Sequence, residues 1–235
     1  MTPDRYQKIT TVLKRRQPDL TLITDEVHKG RNLSALIRTC DAVGIDTIHT
    51  VVPKAGYRHY CGTALGSQKW VNINTYSSVT TAIKQLKQQQ HTVIAAHLTS
   101  TAMDYREIDY TQPTAIVLGT EKQGVSHEAL ALVDTCITIP MQGMVESLNV
   151  SVATGMILAE AQYQRLQAGL YEYQRLSDAS YQQRLFRWGY PALAAFCDAK
   201  GITYPALNAQ GDIVDGPRWH AMLKANNYNA KNTPL

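Results

Sequence analysis

No stretch of the chain approaches the roughly 20 consecutive apolar residues that a bilayer-spanning helix requires, so nothing in the sequence reads as a membrane span. The opening Met1-Thr-Pro-Asp-Arg-Tyr6 lacks an apolar signal core, from which we expect no secretion signal and a cytoplasmic location. Cysteines are few, and none of Cys40, Cys61, Cys136 and Cys197 sits in a CxxC or at metal-ligand spacing. They read as ordinary thiols of a reducing compartment. The histidines are scattered, and we assign no metal. No GxGxxG follows the first strand candidate, and no acidic residue stands at the usual distance beyond one, so a dinucleotide-dependent oxidoreductase lacks its fingerprint. Internal repeats and low-complexity blocks are absent as well.

What is present suits a globular chain long enough for one sizeable core, since 235 residues with 44% hydrophobic content can bury one. The net charge of +4 is unevenly spread. Residues 1–20 carry an excess of three positive charges, as do residues 161–235, whereas residues 21–160 carry an excess of two negative ones. Basic flanks around a near-neutral core fit a protein that grips a polyanion with its extensions. Ordinary solvated helix faces would look the same by charge alone.

Along the chain, residues 3–16 read as a helix, with Pro3 in its first turn and Tyr6, Ile9, Val12 and Leu13 at helical spacing. Leu20–Thr24 is a short strand. A helix from Asn32 to Val43 stops at Gly44, and the β-branched run Thr47–Val52 stops at Pro53. Trp70–Tyr76 alternates like a strand, and Ser77 or Ser78 can cap a helix reaching Gln90. Val93–Leu98 and Ala115–Leu118 are continuous apolar runs, as expected of parallel strands buried on both faces. Ser126–Val133 reads as a short helix and Ile137–Pro140 as a strand end. Leu148–Gln167 reads as a long helix with Val152, Met156, Ile157 and Ala159 as its apolar positions. The alternation predicts an α/β fold with a mostly parallel sheet. We divide the chain into a basic helical extension (1–19), a central α/β domain (20–169) and a C-terminal extension (170–235) that packs helices on the core and ends, from Gly201 on, in a loose tail.

Three constellations carry chemistry. The first spans His28-Lys-Gly-Arg-Asn32 through Arg38 to Gly44. Asn32 stands at the expected helix start, and Arg38 lies in a stretch of small and apolar residues where a charge needs a partner. Asn32 as a helix cap and Arg38 paired with Asp41 or another acid is the structural alternative. The second, Ala115–Ser126, is a buried strand running into a loop bounded by Gly119 and Gly124 and carrying Glu121. Loops at the carboxyl ends of parallel strands bind ligands, although a plain strand–turn–helix connection has the same outline. The third, Ile137–Gly155, is a strand end, a loop, and a helix opened by Ser147 and Asn149, whose free N–H groups can hold an anion. Ser147 as a simple cap is the alternative.

In this order and spacing the three resemble the signature motifs of the SpoU/TrmH-type methyltransferases of the SPOUT superfamily, over roughly residues 20 to 160. IPMxGxxxSLNVSVA at 139–153 is the most specific part. The flanks, Arg5-Tyr6 with Arg15-Arg-Gln-Pro-Asp-Leu20 and the appended 170–235, resemble the branch that methylates guanosine 18 of tRNA.

The resemblance implies a deep C-terminal trefoil knot formed between about 115 and 160, a feature that periodicity alone does not predict. It further implies S-adenosylmethionine as cofactor, tRNA as partner, and a homodimer. The cofactor would lie against Ala96, His97, Leu98, Gly119, Ile139, Met141, Ser147, Leu148 and Asn149. The catalytic set would be Arg38, Asn32 and Glu121, and the RNA-binding set Lys8, Arg15 and Arg16 on the first helix. The family assigns proton removal from the ribose 2'-hydroxyl to Arg38, yet arginine is essentially always protonated. Arg38 is either a base aided by Glu121 or an RNA phosphate, or a cation stabilising the developing alkoxide. Gly30 stands where many relatives have proline, and Ala96 where threonine is common. Two other readings stay open: a 2'-O-methyltransferase of 23S rRNA, and a catalytically inactive RNA-binding relative.

Overall fold

The computed structural model describes residues 1–27, 29–51, 66–120 and 123–225. His28, Pro53, Cys61, Glu121 and the end of the expected tail lie outside the described residues. The strands are β1 (Leu20–Thr24), β2 (Thr47–Val51), β3 (Asn72–Tyr76), β4 (Thr92–Ala96), β5 (Met103–Asp104), β6 (Thr114–Leu118) and β7 (Thr135–Thr138). The helices are α1 (Pro3–Lys14), α2 (Gly30–Ala42), α3 (Val79–Gln88), α4 (His127–Leu130), α5 (Val150–Gln167), α6 (Asp178–Gly189), α7 (Pro191–Lys200) and α8 (Gly216–Ala225). They fall into two compact units, one of residues 16–173 and one joining residues 1–15 to the chain from Gln174 on.

The larger unit is built on a seven-stranded sheet of order β3-β2-β1-β6-β4-β7-β5, parallel at every pairing. Its central strands β1 and β6 are buried along their whole length, threonines included, because both faces are covered. Leu22, Ile94 and Ile116 pack with Leu36 and Ile37 of α2 and Ile157 and Leu158 of α5. The alternate residues Ile23, Val93, Ala95, Ala115 and Val117 pack with Ala82, Ile83 and Leu86 of α3 and Ala129 of α4. A period of two thus sends successive residues of one strand to opposite layers, and each fully buried Leu or Ile contributes roughly 1.5–3 kcal/mol relative to exposure.

Local capping sets the helix starts. Ser78 accepts the N–H of Thr81 at 3.3 Å and so is the residue that opens α3. Helix α2 begins earlier than its apolar periodicity suggests, at Gly30, so Asn32 lies in its first turn and does not cap it. Helix α5 is capped by Asn149, which accepts the N–H of Ser151 at 2.9 Å, and not by Ser147.

One buried ion pair fastens the far end of α5. Arg165 is fully buried, meets Asp19 at 2.7 Å and also donates to Gln17 Oε1 and to the carbonyls of Tyr110 and Gln112. A long helix with an Arg near its end reads as solvated, and only the fold reveals that this charge is enclosed.

In the smaller unit, Thr2 caps α1 with Pro3 in the first turn, and Arg5 donates to the Trp188 carbonyl at 2.8 Å. The chain beyond Gly201 is more ordered than its lack of periodicity suggests. Gly201, at φ 65°, ends α7, and α8 then packs Trp219 and Leu223 onto Cys197.

Candidate active site

In an all-parallel sheet the carboxyl ends of the strands share one edge, and there the chain is free to form loops around a ligand. At that edge β4 runs into His97 and Leu98, β6 into Gly119 and Thr120, and β7 into Ile139 and Met141. His97 N–H donates to the Ile137 carbonyl at 3.1 Å, which carries the pairing of β4 and β7 one step past the strand.

These ends enclose a pocket of about 140 Å³. Ala96, His97 and Leu98 form one side of it and Ile139 and Met141 another. Ser147 and Leu148 come from the loop ahead of α5, and Ala153 and Ile157 from α5 itself. Seven of the nine residues expected around the cofactor therefore line one pocket. Gly119 and Asn149 do not line it. Glu146 does, and it brings a carboxylate that motif reading passes over.

Gly119 nevertheless shapes the neighbourhood. Thr120 and Gly124 exchange two backbone hydrogen bonds of 3.0 and 2.9 Å, pinching the loop shut. A Cβ on Gly119 would lie 2.0 Å from the Gly124 backbone, so no side chain fits there. Gly124, at φ 68°, faces the His97 ring, which a Cβ would approach to 2.8 Å. Asp25, another residue the motifs do not single out, anchors the loop's exit. It is 4% exposed, accepts the N–H of Ser126 at 2.8 Å and donates its own N–H to the Leu118 carbonyl at 2.8 Å. A carboxylate directly after the fully buried strand Leu20–Thr24 marks the residue that this role needs. Glu121, expected in the catalytic set, lies outside the described residues.

Helices α2 and α5 pack side by side, Leu36, Ile37 and Cys40 against Ile157, Leu158 and Ala161. Their N-terminal turns meet where Asn149 Nδ2 donates to Asn32 Oδ1 at 3.4 Å. Arg38 is exposed on α2. The ion pair with Asp41 considered for it does not form, because Asp41 is held by Arg16 at 2.5 Å.

That pairing also corrects the RNA-binding set. Helix α1 ends at Lys14 and Arg15 caps it, so the helical face does not extend to Arg16. Arg16 is fully buried and donates to the Ile45 carbonyl at 2.9 Å. It is a structural residue, enclosed where it cannot touch a phosphate. Lys8 and Arg15 are exposed.

Burial pushes the thiols of Cys40, Cys136 and Cys197 up from their ordinary range, which leaves them as poor nucleophiles. Among the described residues no cluster of His, Cys, Asp and Glu could hold a metal, and no helix is long and apolar enough to cross a membrane.

Residues 19–159 match the SpoU rRNA methylase family, and residues 163–216 match the C-terminal SpoU rRNA methylase family. The chain is 48% identical over 227 residues to the tRNA (guanosine(18)-2'-O)-methyltransferase of Escherichia coli strain K12, covering 96% of this chain and 99% of that one. Among solved structures, the A. aeolicus TrmH/SpoU tRNA modifying enzyme superposes with a TM-score of 0.75 at 40% identity, covering 80% of this chain and 96% of that one. The AdoMet-bound rRNA methyltransferase of Sinorhizobium meliloti superposes with a TM-score of 0.53 at 26% identity, covering 66% and 59%. A parallel sheet with a pocket at its carboxyl edge, matched over this much of its length, makes the chain a member of the SpoU methylase family.

Proposed function

We propose that the protein transfers a methyl group from S-adenosylmethionine to the ribose 2'-hydroxyl of guanosine 18 in tRNA. The observation that carries this reading is the 48% identity over nearly the whole chain to a relative of that name. Both flanking extensions are included in that match.

The pocket suits the ring end of the cofactor. Its walls are aliphatic at Ile139, Leu148 and Ile157, and strand-end backbone groups border it. A volume of about 140 Å³ is smaller than whole-ligand sites, which run to roughly 300–1,000 Å³. The rest of the molecule would lie along the exposed loop 141–147, where the carboxylate of Glu146 offers a counter-charge to a cation. When bound, the cofactor supplies a methyl group already activated by its sulfonium. The protein's part is to hold the ribose oxygen in line and to manage its charge. We assign that to Arg38 as the cation facing the developing alkoxide. Asn32 and Asn149 fix the geometry where the first and third motifs meet, and Glu121 assists proton removal.

We further assign the family's trefoil knot to residues 115–160, a reading favoured by the insertion of β6 between β1 and β4. A homodimer is supported by α5. Its Val152, Met156, Tyr163 and Leu166 are 52, 39, 59 and 52% exposed and, at separations of about four, seven and three residues, lie on one helix face. Lys8 and Arg15 would touch tRNA phosphates. The central 20–169 would be the methyltransferase domain and the flanks the RNA-holding extensions, in a cytoplasmic enzyme.

The experiment is methyl transfer from labelled cofactor to total tRNA and to rRNA, with nucleoside analysis of the product. We expect 2'-O-methylguanosine in tRNA. Label in rRNA alone points to the rRNA reading, and RNA binding without label points to an inactive relative.

A further inference from the structure

A second concave surface is made entirely of residues 179–207, within the C-terminal extension. It is a groove of about 640 Å³ between α6, the end of α7 and the segment that follows. Its walls are of two kinds. Ile202, Pro205 and Leu207 present aliphatic surface, and Gln182, Gln183 and Thr203 present neutral hydrogen-bonding groups. None of those three polar side chains bonds to another described residue, so their donors and acceptors are uncommitted.

The charged groups at the groove are committed to one another. Asp198 meets Arg187 at 2.9 Å, and the Tyr204 hydroxyl donates to Asp198 at 2.6 Å while accepting from Arg187 at 3.0 Å. The Tyr204 ring rests on Phe186 at 4.7 Å. This closed cluster makes a rigid, charge-balanced wall. A phosphate would find the carboxylate of Asp198 there and no uncommitted lysine or arginine among the lining residues. A flat ring with donors and acceptors along its edge satisfies both kinds of wall at once.

The geometry points to a nucleobase site: the groove takes one unpaired base of the RNA, distinct from the guanosine that is methylated, and reads its edge with Gln182 and Gln183. RNA-binding proteins obtain specificity from splayed-out loop bases in this way, and glutamine amides pair bidentately with base edges. This inference rests on the proposed function, because it takes tRNA as the ligand.

The test uses the full-length protein and its Gln182→Ala/Gln183→Ala variant, with tRNA transcript as probe. Both side chains are exposed, and an unchanged thermal melt verifies folding. The expected result is tRNA binding weakened by about 5- to 160-fold, the range for removing one bidentate pairing to a base. The slope of log Kd against log salt should stay the same, because every phosphate keeps its cation. Turnover at saturating tRNA should also persist. Ultraviolet crosslinking of wild type to tRNA should mark the peptide 202–207. Unchanged affinity, a flattened salt slope, or crosslinks confined to other peptides would overturn the assignment. Failure of the wild type to methylate tRNA at all would instead sink the proposed function, so the two failures are distinguishable.

Discussion

Asn149 donates a hydrogen bond to Asn32 at 3.4 Å, joining residues 117 positions apart at the meeting of the first and third motifs. Asn149 does two things at once, since its Oδ1 also caps α5. The isosteric Asn149→Asp keeps the capping oxygen and deletes the donor to Asn32. Aspartate caps as well as asparagine, so the melting temperature should hold while turnover falls. Asn149→Ala should in addition cost about 0.5–2 kcal/mol of stability. Equal activity of Asn149→Asp and wild type would show that the bond to Asn32 is dispensable.

Arg38 is exposed, and no ion pair or hydrogen bond ties it to another described residue. Its removal should therefore leave the fold intact. Arg38→Ala should abolish methyl transfer while cofactor affinity, read by calorimetry, stays near wild type. Retention of more than about a tenth of the rate, under ~1.4 kcal/mol of barrier, contradicts a central role. Arg38→Lys keeps the charge and loses the planar fork. Substantial activity in that variant favours the electrostatic role.

The opposite pattern is expected at Arg165. Arg165→Met removes the buried guanidinium that meets Asp19 and three other acceptors, and breaking a buried pair from one side costs about 3–5 kcal/mol. Denaturant unfolding should register most of that loss. Combining it with Asp19→Asn should recover part of it, because the negative charge that Arg165 offset is gone. A melt unchanged in Arg165→Met would show that the network is not stabilising.

Lys8→Ala/Arg15→Ala should weaken tRNA binding at moderate salt. The slope of log K against log salt should flatten by about 0.7–0.9 for each phosphate that is no longer neutralised, with cofactor affinity unaltered. Arg16→Ala should act differently, lowering stability by removing the bond to Asp41. A salt slope that ignores both Lys8 and Arg15 would remove α1 from the RNA path.

Met156→Glu/Tyr163→Glu puts charges on the exposed face of α5. Sedimentation velocity should find the wild type as a dimer and the variant as a monomer of native secondary structure. A monomeric wild type at micromolar concentration would leave that apolar face without the proposed role.

Much of this is legible in the residues themselves. Leu20–Thr24 reads as a strand and is one, its Leu20, Leu22 and Ile23 buried between the two helical layers. The pocket residues from Ala96 to Leu148 can be found because motif order carries information that composition lacks. What is not legible depends on contacts distant in sequence or on which way a helix faces. Arg16 continues the periodicity of α1, but the helix stops at Lys14 and the chain turns inward, which no local signal marks. The burial of Arg165 is not legible at all, because its partner Asp19 is 146 positions away. Val152 and Met156, named with Ile157 as apolar positions of α5, are exposed where Ile157 is buried, because an apolar residue on a helix shows only that it is apolar, not which side of the helix the sheet covers.

The pinched loop at Gly119 sets a limit on how this chain can vary. Every amino-acid replacement there adds at least a Cβ, and that atom would overlap the Gly124 backbone at 2.0 Å, where nothing soft can yield. At Gly216, by contrast, an added Cβ meets no atom within 4 Å. Under saturation mutagenesis with selection for methylated tRNA, position 119 should therefore be an empty column and position 216 a populated one. The pinch has no single-residue neighbours in sequence space at Gly119, so drift around it must proceed through other positions that keep the two backbone bonds between Thr120 and Gly124.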